Sequence, residues 1–269
     1  MARTTVKVIE DSISNLGNRV TTLELEYPRY IHSELMTHRM FSRNAQSSRA
    51  IPVNRLIERV EEENWYPIFM LNKPGMEATN KPEEAIELEA KLKWDLSKLM
   101  AVEYAKDMVE LDIHKQVVNR LLEPYSKIKV ILTATDFDNF FKLRLAPSAQ
   151  QEIQELAALM KEAINNSTPK QLDLGEWHLP YVRDEERIIP LKEQVKLCVA
   201  RTARVSYLNH DGKRDIDRDF YLHDTLLKDM HMSPFEHACT PSSSVNQYFG
   251  NFKGWIQYRK HIETGWKIK

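Results

Sequence analysis

Polar and apolar residues alternate in two stretches near the start of the chain. Residues 4 to 9 read Thr-Thr-Val-Lys-Val-Ile, and residues 20 to 26 read Val-Thr-Thr-Leu-Glu-Leu-Glu. β-Branched residues and, in the second, Leu23 and Leu25 interleaved with Glu24 and Glu26 predict strands, because side chains on a strand point to opposite faces in turn. Pro28 ends the second strand, and residues 30 to 37 then read as a helix. Residues 64 to 76, with Pro67, Pro74 and Gly75, predict a loop. From Pro82 to Leu122 the period lengthens to that of a helix, with Leu88, Leu92, Leu96 and Leu99 recurring among Lys and Glu. Glu123-Pro124 breaks it.

Residues 127 to 135 (Lys-Ile-Lys-Val-Ile-Leu-Thr-Ala-Thr) predict a strand. Asp136 or Asp138 is placed to cap a short helix through Phe141. Ser148 with Gln151 forms a capping-box pattern, and Ile153, Leu156, Ala157, Met160 and Ile164 then mark one apolar helix face. Residues 165 to 174 read as a polar linker, 195 to 205 as a mixed apolar stretch and 217 to 230 as a helix. Ser233-Pro234-Phe235-Glu236-His237 reads as a compact turn, and residues 252 to 269 as a basic, aromatic tail. No repeat of 20 to 50 residues is present. The expectation is an α/β (α+β) protein in which a mixed sheet packs with long helices. A single domain, 1–269, would comprise a first part (1–165), a linker (166–194) and a closing segment (195–269).

One stretch breaks these periods. From Glu34 to Arg49 the chain carries His38, Arg39, Ser42, Asn44, Gln46, Ser47, Ser48 and Arg49, relieved only by Met40, Phe41 and Ala45 after His38. A core strand or helix does not leave so many polar side chains unpaired. Arg and Ser together supply donors suited to an anionic ligand, above all to phosphate oxygens. Ser47, Ser48 and Arg49 also lie together just before Ile51-Pro52, where the chain stiffens, an arrangement suited to cradling phosphate. The same run reads equally as a solvated helix end with surface arginines. Similar residue types recur at Arg120, Asn139 and Arg144.

Composition narrows the ligand. A formal charge of −1 argues against a protein whose main task is to coat nucleic acid. No apolar run reaches the length of a membrane span, and residues 1 to 16 lack the layout of a signal peptide. Cys198 and Cys239 fit neither a zinc site nor a disulfide framework. No metal site and a reducing, cytoplasmic setting are therefore expected. The seven glycines include no GxGxxG and no Walker loop, so any nucleotide cofactor is held in another manner.

The run Thr37-His38-Arg39-Met40-Phe41-Ser42-Arg43-Asn44-Ala45-Gln46-Ser47-Ser48-Arg49 resembles the signature of flavin-dependent thymidylate synthases, written Arg-His-Arg, seven residues, then Ser with an Arg close by. Downstream, Asn119-Arg120-Leu121-Leu122-Glu123-Pro124 resembles that family's Arg-x-x-x-Pro stretch, and Asn139-Phe140-Phe141-Lys142-Leu143-Arg144 its Asn-Phe-x-x-x-Arg segment. Ala149-Gln150-Gln151-Glu152-Ile153 looks like the helix that follows. Two further pieces stand in unusual order. Ala203-Arg204-Val205-Ser206-Tyr207 and Ser233-Pro234-Phe235-Glu236-His237 precede the arginine motif in the family and follow it here. The resemblance therefore implies a circularly permuted member, which termini lying close together would permit. His237 placed far from His38, both within a protomer and across subunits, would rule this out.

The resemblance implies a mixed α/β fold, a homotetramer with substrate bound between subunits, and roles for particular residues. Ser47 and Arg49, with Gln46 and Ser48 beside them, would hold the 5′-phosphate of a deoxyuridine nucleotide. Arg120 and Arg144 would help hold it, with Arg144 near the base, where it would stabilise charge on the pyrimidine as the catalytic residue. Glu34 stands where the family has a glutamine that approaches the nucleotide. His38, Arg39, Ser42, Asn44, Asn139, Ser206 and His237 would contact flavin adenine dinucleotide. Methylene-tetrahydrofolate would donate one carbon to C5 of dUMP, and NADPH would reduce the flavin. On their own residues, Arg120 and Arg144 read as helix-surface ion pairs, His38 as a surface histidine and His237 as a buried, satisfied one. Glu236 reads as a turn carboxylate, the tryptophans and both cysteines as core, and His178 is open.

Three departures from the signature alter local charge: Thr37 for arginine, Ala45 for an acidic residue and Glu34 for glutamine. Arg43 or Arg259 is a possible substitute for the charge missing at Thr37. An ionised carboxylate accepts hydrogen bonds and donates none, so Glu34 raises an alternative product. Water in place of hydride would give a 5-hydroxymethyl nucleotide, on dUMP or dCMP. An inactive flavin or nucleotide binder is a second alternative. Nucleic-acid binding, which would be strongly salt-dependent, is disfavoured by the charge.

Overall fold

A computed structural model describes residues 3–205 and 215–265. Its centre is a five-stranded sheet. The first hairpin joins β1 (Thr5–Ser14) to β2 (Arg19–Pro28); α1 (His32–Met36) then leads into β3 (Ser42–Ala45). After α2 (Val53–Glu62), α3 (Glu84–Glu110) and α4 (Lys115–Leu122), the chain returns to the sheet as β4 (Lys127–Ala134). The helices α5 (Asp138–Arg144) and α6 (Gln151–Asn165) and the short strand β5 (Lys170–Leu172) complete this part. The strand order is β3-β4-β2-β1-β5, antiparallel except that β5 runs parallel to β1. The rest of the described chain comprises α7 (Leu191–Ala203), α8 (Ile216–Lys228), β6 (Cys239–Pro241), the hairpin β7 (Tyr248–Phe249) and β8 (Phe252–Lys253), β9 (Trp255–Gln257) and α9 (Tyr258–Thr264).

Alternation along β2 and β4 separates the two sheet faces. Leu23, Leu25 and Tyr27 of β2 and Ile128, Val130, Leu132 and Ala134 of β4 meet Ile153, Leu156, Ala157, Met160 and Ile164 of α6 in the main core. The opposite face carries Ser12, Thr22 and Thr133, and the C-terminal part covers it. Ser12 Oγ meets His178 Nδ1 at 2.9 Å, and His178 Nε2 meets Thr22 Oγ1 at 2.8 Å. Thr22 Oγ1 meets Thr133 Oγ1 at 2.7 Å, and Thr133 Oγ1 meets His237 Nδ1 at 2.8 Å. All five side chains are buried. This ladder replaces an apolar contact between the two parts, and its polar atoms satisfy one another as burial requires, except His237 Nε2, which has no partner among the described residues.

The structure departs from the sequence expectations in definite places. The middle of the polar run, Ser42–Ala45, forms an edge strand, β3, where Ser42 and Asn44 find partners from far along the chain. Residues 53–62 form a helix that the sequence reading lacked. The helix expected over 82–122 divides at residues 111–114, where Asp112 takes a positive φ of 57°. Gln150, not Ser148, stands at the N-cap of α6, whereas Asp136 Oδ1 does accept the Asp138 amide at 3.1 Å. Residues 165–174, expected as a polar linker, contribute β5 to the sheet. The stripe Leu88, Leu92, Leu96 and Leu99 faces outward, each residue at least half exposed. α3 packs inward through Trp94, against Trp65 and Tyr125, and through Val102 and Ala105, which join α2 and α4.

Gly254 sets the approach of the C-terminal part to the first hairpin. It has φ +71°, and a Cβ there would lie 2.2 Å from Asn18 Nδ2; next to it, Trp255 Nε1 donates to the Asn18 carbonyl at 3.1 Å. Gly254→Ala should lower stability by about 2 kcal/mol or more, combining left-handed strain with a clash. Thermal unfolding checks this, and an unchanged midpoint would contradict it. Among the described residues, no helix is long and apolar enough to cross a membrane, and no cluster of three His, Cys, Asp or Glu residues could hold a metal.

Candidate functional site

The short helix α1 ends at Thr37, and Arg43 closes it. Its Nη1 donates to the carbonyls of Leu35, Met36 and His38 at 3.1, 2.9 and 3.2 Å. A guanidinium thus sits at the helix end beside Thr37, where the resemblance lacks a positive charge. Arg259 is engaged elsewhere, with Glu236 and Glu263. Along β3, Ser42 pairs with Thr133 and Asn44 with Ile131, so both face the C-terminal part. Gln257 and Asn251 donate to Ser42 Oγ at 2.9 and 3.1 Å. Asn44 donates to the Thr202 carbonyl at 2.8 Å and accepts from Ser233 Oγ at 3.3 Å. The turn Ser233–Glu236 thereby rests on the strand into which His38 leads.

Beyond β3 the chain bends into a single 3-10 turn, Ser48–Ala50. Asn119 of α4, fully buried, holds it, donating to the carbonyls of Ser48 at 2.7 Å and Ile51 at 3.0 Å. Ser48 and Gln46 are buried. Gln46 opens on a separate pocket of about 250 Å³ with Arg59, Glu62, Glu63, Lys127 and Lys129.

Ser47 and Arg49 open instead on a cleft of about 650 Å³, lined also by Asn44, Ala50, His114, Lys115, Gln116, Ala203, Leu226, His231, Ser233 and Pro234. Among the described residues, no carboxylate lines it. Arg49 is exposed and pairs with no acid among the described residues. His114, Lys115 and His231 escaped the sequence reading: they lie outside every motif and reach the cleft only through the fold.

His38, Arg39, Asn139 and Arg144 share another pocket of about 180 Å³, with Thr37 and Asp136. Arg144 Nε donates to His38 Nε2 at 2.8 Å, and its Nη2 reaches Thr37 Oγ1 at 3.1 Å and the Glu34 carbonyl at 3.4 Å. His38 accepts at Nε2 and so carries its proton at Nδ1. Burial first, then Arg144 and Arg43, push its pKa down. Two edges of the guanidinium are thus anchored, and Nη1 has no partner among the described residues. Burial raises the Glu34 pKa against the pull of Arg144, and Glu34 Oε2 is buried without a partner.

The remaining residues lie apart. Arg120 pairs with Glu123 at 2.7 Å on the helix surface and lines neither pocket. His237 is completely buried in the polar ladder, with Nε2 unpartnered among the described residues. Ser206 and Tyr207 lie outside the described residues. Trp177, Trp255, Cys198 and Cys239 are core, and burial pushes both thiols up, which suits inert cysteines rather than nucleophiles.

Burial also holds His178 and His237 neutral, with pKa values lowered from 6.5 to about 3. Below 6.5 the unfolded chain binds protons that the folded chain refuses until about 3. Stability should therefore fall as pH drops through that window, by up to about 1.4 kcal/mol per unit for each histidine. Urea unfolding at pH 7 and pH 5 checks this, and equal stability at both would contradict it.

Comparison with known proteins agrees with the motif. The family model described as thymidylate synthase complementing protein matches residues 14–170. A flavin-dependent thymidylate synthase of Pyrococcus abyssi (strain GE5 / Orsay) is 30% identical over 133 residues, 49% of this chain and 48% of that one. The chain thus spans about half the length of the curated relative it matches. Among solved structures, the UMP/dUMP methylase PolB from Streptomyces cacaoi, bound with 5-Br UMP, superposes with TM-score 0.50 at 16% identity, covering 61% of this chain and 89% of that one. The flavin-dependent thymidylate synthase ThyX from Helicobacter pylori, complexed with FAD and dUMP, gives TM-score 0.38 at 20% identity, covering 54% and 67%.

Proposed function

We propose, for a chain that belongs to the thymidylate synthase complementing protein family, that it binds a pyrimidine nucleotide monophosphate in the cleft of Ser47 and Arg49 and transfers a one-carbon unit to C5 of the base, turning dUMP into dTMP. The cleft carries this reading. Ser47 and Arg49 offer a hydroxyl and a guanidinium to phosphate oxygens; among the described residues, that guanidinium pairs with no acid and no carboxylate lines the cleft. The Pyrococcus relative bears the name of the same activity.

Arg144 acts on the base. With Nε and Nη2 anchored by His38 and Thr37, its free Nη1 is preorganised to stabilise charge developing on the pyrimidine ring. Burial moves Glu34 toward its neutral form, which offers a donor and an acceptor as the family's glutamine does. In one protomer Arg144 and Arg49 line separate pockets, so one nucleotide would draw on two copies of the chain. The exposed leucine stripe of α3 supplies an apolar face for such an assembly.

A whole flavin adenine dinucleotide does not fit the described residues of one protomer. The pocket of His38, Arg39 and Asn139 is about 180 Å³, below the usual ~300 Å³ or more of a ligand site. Ser42, Asn44 and His237 are engaged within the protein. A second copy would have to complete the flavin site. The permuted order is supported by the Ser233–Glu236 turn seated on β3.

The test is incubation with dUMP, methylene-tetrahydrofolate, FAD and NADPH, with the nucleotide product read by mass. A product heavier than dUMP by CH2 is expected. One heavier by CH2O would mean hydroxymethylation, and no product beside firm dUMP binding would mean an inactive binder; either overturns methyl transfer.

A further inference from the structure

We propose that Lys115, His114 and His231, all outside the arginine motif, complete the phosphoryl site begun by Ser47 and Arg49. This rests on reading the cleft as a nucleotide-phosphate site. The lining converges from separate stretches of chain: the end of β3 with the turn after it, the first turn of α4, the ends of α7 and α8, and the turn before β6. Such convergence fixes positions that one flexible loop would not.

Among the described residues, the absence of acids is local to the cleft. The chain as a whole has 39 Asp and Glu against 38 Lys and Arg, and its other exposed cations are commonly paired, as Arg120 is with Glu123, Lys106 with Glu61, and Lys196 with Asp224. Arg49 and Lys115 pair with no acid among the described residues, yet both line the same cleft. Two uncompensated cations lining one cleft repel, and a dianionic phosphoryl group removes that repulsion while using the donors of both.

The two histidines add donors. His114 Nδ1 accepts the Gln116 amide at 3.3 Å, so the imidazole proton sits on Nε2. The His231 amide is tied to the Leu226 carbonyl at 2.9 Å, which fixes its backbone at the end of α8. The spacing of these groups is held from behind. Asn119 locks α4 to the turn carrying Arg49, and Asn44 locks β3 to both Thr202 and Ser233. The site is therefore shaped before a ligand arrives.

Calorimetric titration of dUMP, deoxyuridine and inorganic phosphate into the wild type, Lys115→Gln, His231→Gln and Arg49→Ala tests the inference. Lys115→Gln should weaken dUMP roughly tenfold or more and His231→Gln roughly threefold to tenfold, with deoxyuridine affinity and thermal midpoint unchanged. Inorganic phosphate should compete with dUMP in the wild type and compete less in both variants. If Lys115→Gln and His231→Gln bind dUMP like the wild type while Arg49→Ala does not, the inference is overturned and the nucleotide reading stands. If the wild type ignores dUMP but binds inorganic phosphate through Lys115, the nucleotide reading fails and the anion site stands.

Discussion

Arg49→Ala is expected to bind dUMP roughly tenfold to hundredfold more weakly than the wild type, at an unchanged unfolding midpoint. The magnitude is that of charge-assisted hydrogen bonds lost to a phosphate. The separation from stability follows from the site: Arg49 is exposed and touches no acid among the described residues, and Asn119 holds the turn that carries it through backbone carbonyls alone. Removing the side chain therefore leaves that clamp in place. Arg49→Lys should recover only part of the affinity, since an ammonium keeps the charge and loses the planar fork. Unchanged dUMP affinity in Arg49→Ala would remove the phosphate assignment.

Asp219→Ala should have the opposite profile, a large loss of stability of about 3–5 kcal/mol. Asp219 is almost fully buried on α8. Its carboxylate accepts Arg201 Nε at 3.1 Å and lies 2.7 Å from Arg204 Nε, a contact that is ionic rather than a formed hydrogen bond. Arg201 is itself buried, with Glu186 its second partner. Without Asp219, two guanidinium groups lose their shared counter-charge where water cannot replace it. α7 and α8 would lose their buried polar tie, keeping only the outer pair of Lys196 and Asp224, and these helices supply Ala203 and Leu226 to the cleft. Asp219→Asn, which keeps an acceptor but not the charge, should fall between the two. Thermal unfolding decides, and a shift no larger than that of a surface substitution would contradict the account.

How much of this was legible beforehand depended on whether a residue's partners lie near it in sequence. Leu23 and Leu25 announced β2, the run from Lys127 announced β4, and the face from Ile153 to Ile164 announced α6, because one period and one buried face specify such elements. The other face of the sheet was not legible. Thr22 and Thr133 look like solvent-side residues until His178 and His237 arrive from the far end of the chain. β3 was hidden for the same reason: the polarity that pointed to a ligand run is satisfied at Ser42 by Asn251 and Gln257, and at Asn44 by Thr202 and Ser233. The stripe on α3 shows the converse. Its spacing marks a helix but not whether the protein's own core covers that face, and here it does not.

The site divided in the same way. Ser47 and Arg49 stand in one cleft, and His38, Arg39, Asn139 and Arg144 in one pocket, which their motifs could suggest. That the two groups stay apart in a protomer, that Arg120 is spent on Glu123, and that Lys115 and His231 join Arg49 are facts of the fold. Arg43 capping α1 was foreseen only as a location.

The most direct measurement of the central claim is the affinity of the wild type for dUMP against deoxyuridine by calorimetry. The two differ only in the phosphate, so the comparison isolates the cleft. The account predicts that dUMP binds roughly a hundredfold or more tightly, since several charge-assisted bonds depend on the phosphate. Equal affinities would mean that the phosphate is not held and would contradict the account.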